Sequence, residues 1–296
     1  MKRVLLTLKN VVTSQNEIIQ RFISFVILVV IITPCFIFGR LPLWIITTAV
    51  TLLGISEFCI ALNRIKINPS KTICYIMTLI LFATYFAMKL SWISAIYVDK
   101  TILAWIFISL IISLIYEWQQ SSGTDKSRLA DSSATMVALL YIPFSMYTIM
   151  LMDMSHHILT YLVIIVAFGT DCFAFLIGKC SRELEKLGIY KTHRLAFKLS
   201  PNKTIEGAIG GLIGCCTLGL IFSLIFAKEM WITYVVMSFI GGIAAECGDL
   251  VASAIKRQVG IKDYGSILPG MGGILDRFDS VLLVAPTIYF LAPILL

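Results

Sequence analysis

The run Ile205-Glu-Gly-Ala-Ile-Gly-Gly-Leu-Ile-Gly-Cys-Cys-Thr-Leu-Gly-Leu-Ile-Phe-Ser-Leu-Ile-Phe-Ala227 carries one charge, on Glu206, and none over the 21 residues that follow. As a helix rising 1.5 Å per residue, such a run crosses the roughly 30 Å hydrocarbon layer of a bilayer. Eight more runs of similar character flank it, at 22–39, 41–62, 72–90, 101–118, 134–152, 158–178, 231–252 and 279–296. Composition agrees, since 58% of the 296 residues are hydrophobic and only 14% are charged, against about 25% charged in an ordinary soluble domain. A mean hydropathy of +0.92 excludes a conventional soluble enzyme, because a soluble globule must cover its core with polar surface. The expectation is an all-α, polytopic integral membrane protein with about nine transmembrane helices. The 22–39 run is followed at once by another span and by no small-x-small cleavage site, so it reads as an uncleaved helix.

Charge orients these spans. With the N-terminus cytoplasmic, 20 of the 24 Lys and Arg residues fall on inside segments, leaving Arg40, Lys89, Lys100 and Lys228 outside. The net charge of +7 is thereby explained by topology, with no nucleic-acid partner needed. Two long cytoplasmic loops result, 179–204 and 253–278. The lack of a targeting presequence and the modest length point to a bacterial inner membrane. Eight cysteines, mostly within apolar runs and without CxxC spacing, read as small buried hydrophobes, and the adjacent His156 and His157 read as loop residues.

The chain divides into an N-terminal region, 1–150, with helices 1 to 5, and a C-terminal region, 151–296, with helices 6 to 9. The first holds few ionisable groups within its spans (Glu57, Lys89, Glu117), and none of them demands chemistry. The second places Asp171, Glu206, Glu246, Asp249, Asp276 and Asp279 toward the cytoplasmic ends of its helices. A carboxylate at membrane depth costs about 2.5 to 3.5 kcal/mol on insertion scales, so several converging on one face call for a cation. Hard oxygen ligands favour magnesium, which takes one or two carboxylates and leaves its other positions to water or substrate phosphates. If the eighth helix continues through residue 256, steps of 100° bring Glu246, Asp249, Ser253 and Lys256 onto one face. The loop Tyr264-Gly-Ser-Ile-Leu-Pro-Gly-Met-Gly-Gly273 feeds a helix N-terminus, where backbone amides can approach an anion. A glycine loop alone is as often a plain turn, and a basic inner loop is usually topology. It is the combination over 246–280 that packing does not account for.

The stretch Ser253-Ala-Ile-Lys-Arg257, then Lys262-Asp263, then Leu268-Pro-Gly-Met-Gly-Gly-Ile-Leu-Asp-Arg-Phe-Asp-Ser280 resembles the signature of the phosphatidate cytidylyltransferases, the CDP-diacylglycerol synthases. Upstream, Ser200-Pro-Asn-Lys-Thr-Ile-Glu-Gly207 and Asp171 with Phe175, Gly178 and Lys179 are similar to the same family. The resemblance implies a membrane enzyme that joins CTP and phosphatidate into CDP-diacylglycerol with release of pyrophosphate, magnesium-dependent and homodimeric, in phospholipid biosynthesis. It departs at Met271, where the family usually has His.

On these readings Asp249 and Asp276 hold magnesium, with Asp279 and Glu246 as further ligands. Asp249, Lys256, Asp276 and Asp279 are the catalytic candidates. Lys203, Ser253, Arg257, Lys262, Gly270, Gly272, Gly273 and Arg277 are the candidates for binding the nucleotide phosphates, and Asp171 and Glu206 are lesser members of the site, with a structural role as the alternative. A CDP-alcohol phosphatidyltransferase is disfavoured by the absence of its D-G-x-x-A-R run. An ion-coupled transporter would use the same acids for a cation, but would hold them at the midplane of broken helices.

Overall fold

The computed structural model describes residues 40–119, 128–196, 199–267 and 272–296. The expected span at 22–39, Gly270 and Met271 lie outside these. The described chain runs α1 (Arg40–Asn63), α2 (Lys71–Lys89), α3 (Val98–Gln119), α4 (Arg128–Leu139), α5 (Ser145–Ser155), α6 (His157–Lys186), β1 (Arg194–Ala196), β2 (Ser200–Thr204), α7 (Ile205–Phe226), α8 (Trp231–Gln258), α9 (Leu275–Phe278) and α10 (Val281–Leu295). Seven stretches are long and apolar enough to cross a membrane, α4 and α5 counting as one, and α10 is a shorter apolar helix. Each matches one of the expected runs. Their outward faces carry Phe107, Ile112, Ile213 and Phe239, apolar side chains that water would not tolerate in such number and that lipid accepts.

Local chemistry explains the breaks. Ser70 caps α2 by accepting the Ile73 N–H. Pro143, which lacks an N–H, sits in a π-turn at Leu140–Phe144 that joins α4 to α5 as one span. Thr204 caps α7 through the Gly207 N–H at 3.0 Å.

Two boundaries differ from the sequence reading. Helix α6 runs on through Lys186 and α8 through Gln258, so the first eight residues of the 179–204 loop and the first six of 253–278 are helical. At 30 residues α6 is about 45 Å long, well beyond the hydrocarbon layer, and its last turns leave the membrane. The second difference is β1 and β2, an antiparallel ribbon pairing Arg194 with Thr204 and Ala196 with Ser200, which makes the fold nearly rather than wholly α.

The tightest helix pair is α6 with α7. Gly210 faces Ile177, Gly214 faces Phe173 and Gly211 faces the Thr170 carbonyl, so the two backbones approach across small residues. Helix α8 packs on α7, and α10 on α8 and α5. The C-terminal end of α6, the ribbon, the start of α7, the end of α8 and the start of α9 consequently gather at one side of the bundle. Cys59, Cys74 and Cys215 are buried as expected, whereas Cys172, Cys180 and Cys247 face outward.

Candidate active site

That gathering point encloses a cavity of about 500 Å³. Six carboxylates line it, Asp171, Glu246, Asp249, Asp263, Asp276 and Asp279, against four cations, Arg182, Lys203, Lys256 and Arg277. The apolar part of the wall is Ala174, Phe175 and Ala208, where α6 meets α7.

The 100° step of a helix builds the α8 wall. Glu246, Asp249 and Lys256 face the cavity as the spacing predicts, and Ser253 donates to Asp249 Oδ1 at 3.3 Å, orienting that carboxylate. Lys203 reaches in from β2, with Nζ 2.8 Å from Asp249 Oδ2 and 3.4 Å from Glu246 Oε2. Burial alone would lower the Lys203 pKa, but the Asp249 and Glu246 carboxylates outweigh it and hold the ammonium above the ordinary lysine value. Lys256 lies 2.7 Å from Asp276 Oδ1 and 3.9 Å from Asp279 Oδ2. Each lysine therefore sits between two acids. Asp171, from the middle of α6, accepts the Ser280 hydroxyl at 3.0 Å and ties α6 to the start of α10. Gly248 lets α8 approach the Asp279–Ser280 backbone, since a Cβ there would lie 2.6 Å from the Asp279 carbonyl oxygen.

The described glycines of the 264–273 loop stand against the protein's own acids. The Gly273 N–H is not available to a phosphate, because it donates to Asp276 Oδ2 at 2.9 Å alongside the Tyr264 N–H at 2.7 Å. The next two amides, of Ile274 and Leu275, donate to the two oxygens of Glu57 on α1. Gly272 adopts φ +88, and a Cβ there would lie 2.8 Å from Asp276 Oδ2. The described glycines make room for the protein's own carboxylates.

Two of the expected phosphate cations do not reach the cavity. Arg257, one 100° step round from Lys256, turns outward and donates to the Leu199 and Ile261 carbonyls. Lys262 is exposed and away from the lining. Glu206 is structural, its Oε1 accepting the His193 N–H at 3.0 Å and the Tyr190 hydroxyl at 3.2 Å, which pins the segment before the ribbon onto α7.

Arg182 lines the cavity without being among the residues the sequence singles out. It stands seven and eleven residues after Phe175 and Asp171, spacings that share one helix face, but ending the span at Gly178 hid the match. Glu57 is not legible as a site residue in the sequence, because a lone acid in an apolar run gives no sign of a partner more than 200 residues away.

The donor set suits a hard divalent cation bound partly by substrate. Among the described residues no three acids stand close enough to cage a metal unaided. Asp249, Asp276 and Asp279 do face one cavity, and magnesium ordinarily uses one or two protein carboxylates and takes phosphate oxygens for the rest. Asp276 offers only Oδ1, since Oδ2 is taken by two amides. Glu246 Oε1 is buried there without a hydrogen-bond partner.

Comparison with known proteins agrees with this chemistry. Residues 19–295 match the cytidylyltransferase family. The chain is 29% identical over 277 residues to a phosphatidate cytidylyltransferase of Bacillus subtilis (strain 168), covering 92% of this chain and 96% of that one. It is 31% identical, over 92% and 97% of the two chains, to the protein of the same name in Staphylococcus haemolyticus (strain JCSC1435).

Proposed function

The chain belongs to the cytidylyltransferase family and is a nucleotidyltransferase, and from that premise we propose that it is a phosphatidate cytidylyltransferase. It joins CTP and phosphatidate into CDP-diacylglycerol and pyrophosphate. The observation that carries this reading is the mixed lining of one cavity, acids interleaved with lysines and arginines beside the apolar lip at Phe175. Such a lining serves a polyanion and an amphiphile together, and an ion-coupled transporter has no use for it.

In this reaction an oxygen of the phosphatidate monoester attacks the alpha phosphorus of CTP. The new P–O bond forms as the bond to the beta-phosphate oxygen breaks, and the electron pair leaves with pyrophosphate. The monoester, with a second pKa of about 6, is already ionised at neutral pH and needs no strong base. Two anions must meet, so screening and alignment dominate. Lys203 and Lys256 exchange their carboxylate partners for phosphate oxygens, with Arg182 and Arg277 on the same wall. Magnesium, when bound, supplies positive charge to the phosphates. One or two of Asp249, Asp279 and Asp276, the last through Oδ1, would hold it together with the phosphates, with Glu246 beside them.

The eight described apolar spans and the 22–39 run together make nine. The basic bias supports a cytoplasmic N-terminus and cavity and an external C-terminus, and the bacterial relatives support an inner-membrane location. A homodimer completes the reading. Purified protein given labelled CTP, phosphatidate and magnesium should yield a lipid-soluble cytidine product that CTP alone does not. No such product, from protein that is folded and inserted, rejects the activity. Cysteine labelling at residue 190 or 262 from the outside only would reverse the orientation.

A further inference from the structure

Glu57 lies near the end of α1, 5% exposed, and lines no part of the cavity. Its oxygens accept two consecutive backbone amides, the Ile274 N–H on Oε1 at 3.0 Å and the Leu275 N–H on Oε2 at 2.8 Å. A buried charge is held only where its hydrogen bonds are made, and here the chain is shaped to make them. A Cβ on Gly265 would stand 2.4 Å from Oε1, and one on Gly273 would stand 2.4 and 2.5 Å from the two oxygens. Neither position admits a side chain while Glu57 stays where it is.

What Glu57 grips is the turn that enters α9. Residue 276 follows directly, and its own Oδ2 takes the Gly273 amide of the same turn and the Tyr264 amide while Oδ1 meets Lys256. Two carboxylates far apart in the chain thus hold the three successive amides of residues 273–275, and Asp276 holds the Tyr264 amide as well. A rotation of the Leu275 peptide carries Asp276 with it, and Arg277 and Asp279 lie within the next turn.

We propose that Glu57 is a positioning residue, which fixes from α1 the turn carrying Asp276, Arg277 and Asp279. The N-terminal helices are thereby part of the catalytic apparatus rather than only a support in the membrane. The kinetic side of this inference rests on the cytidylyltransferase reading, and the structural side on geometry alone.

Glu57→Gln keeps the shape but turns an NH2 group toward a backbone N–H. In the purified full-length chain it should lower kcat by about 100-fold, the scale of a misplacement near 1 Å, and leave KM for CTP within about threefold. Hydrogen exchange over residues 272–280 should quicken while the rest of the bundle keeps its protection. Glu57→Asp, one methylene short but charged, should recover part of kcat. Gly265→Ala crowds the same oxygen without touching the carboxylate's charge and should reproduce the kinetic pattern, which decides the matter if Glu57→Gln does not fold. Unchanged exchange at 272–280 overturns the proposal, as does wild-type kcat in a folded Glu57→Gln protein. A loss of kcat matched by a general loss of protection also overturns it, since that would be ordinary destabilisation. If wild-type protein makes no product, the activity reading falls, and the exchange measurement still supports or overturns the grip of Glu57 on the turn.

Discussion

Asp131, in the helices before residue 156, and Asp276, in those after it, are about equally buried at 8% and 7% exposure, yet they stand in different company. Asp131 accepts the Asn68 N–H at 2.7 Å, one of several bonds that tie the first set of helices together. Beside it Thr135 Oγ1 accepts the Ser70 N–H at 3.0 Å, and farther along Trp105 Nε1 donates to the Met77 carbonyl at 2.7 Å. Asp276 shares a cavity with five other carboxylates and four cations. Burial therefore does not mark a functional acid in a membrane protein. The mark is convergence of charge beyond what mutual satisfaction needs, a costly arrangement that substrates and a cation would relieve. Glu57 crosses this division, reaching the α9 turn from α1.

The contrast is broken most severely by Asp249→Asn. Removing that charge takes away a candidate metal ligand and the partner of Lys203, and should cut turnover by at least about 100-fold. The protein should still fold and insert, because neutralising an acid among acids eases its burial. Ordinary turnover by the purified variant at ordinary magnesium would strike Asp249 from the site. Gly248→Ala should follow, with a loss of about 10- to 100-fold, because the added methyl meets the Asp279 carbonyl oxygen and the Ser280 Cα, at 2.6 and 3.1 Å. Backbone atoms cannot rotate aside, so α8 and the start of α10 must separate at the point where Asp249 and Asp279 face one another. Kinetics unchanged from wild type would mean that the helices slide without moving the acids.

Helix content was legible because hydrocarbon demands some 20 apolar residues, and each described span fell on an expected run. The ends of α6 and α8 were not, since a helix leaving the membrane turns polar without changing its hydrogen bonding. The cluster of Glu246, Asp249, Lys256, Asp276 and Asp279 was readable from helical spacing and motif resemblance. The role of the loop glycines was not. The same lack of a Cβ admits a substrate phosphate or a protein carboxylate, and only the fold shows Glu57 and Asp276 filling the space. Sequence proximity does not distinguish Arg257 from Lys256, yet one angular step turns it toward the Leu199 and Ile261 carbonyls instead of the cavity.

A smaller effect is expected at Met271, where the family resemblance leads one to expect His. Thioether sulfur neither moves a proton nor donates a hydrogen bond, so a proton-transfer role for that histidine would leave this chain crippled. The attacking group is an ionised phosphate monoester, which supplies its own nucleophile. Met271→His should accordingly change kcat by less than about tenfold, or 1.4 kcal/mol in barrier. A gain near 100-fold in saturating CTP and phosphatidate would reveal general acid–base catalysis and refute the proton-free scheme.

The smallest effect on turnover should come from Thr135→Val, which tests the other side of the comparison. Thr135 is fully buried, and its hydroxyl accepts the N–H of Ser70, the residue that caps α2. Valine keeps the volume and removes the acceptor, leaving a buried amide unsatisfied at a cost of about 1 to 3 kcal/mol. The bond lies within the first set of helices and touches neither Glu57 nor any residue lining the cavity. Stability in detergent should fall by that amount while kcat per folded molecule stays within about twofold of wild type. A tenfold fall in kcat with the fold intact would show that the first helices govern the cavity through more than Glu57, and the division drawn between the two sets would then be one of charge alone.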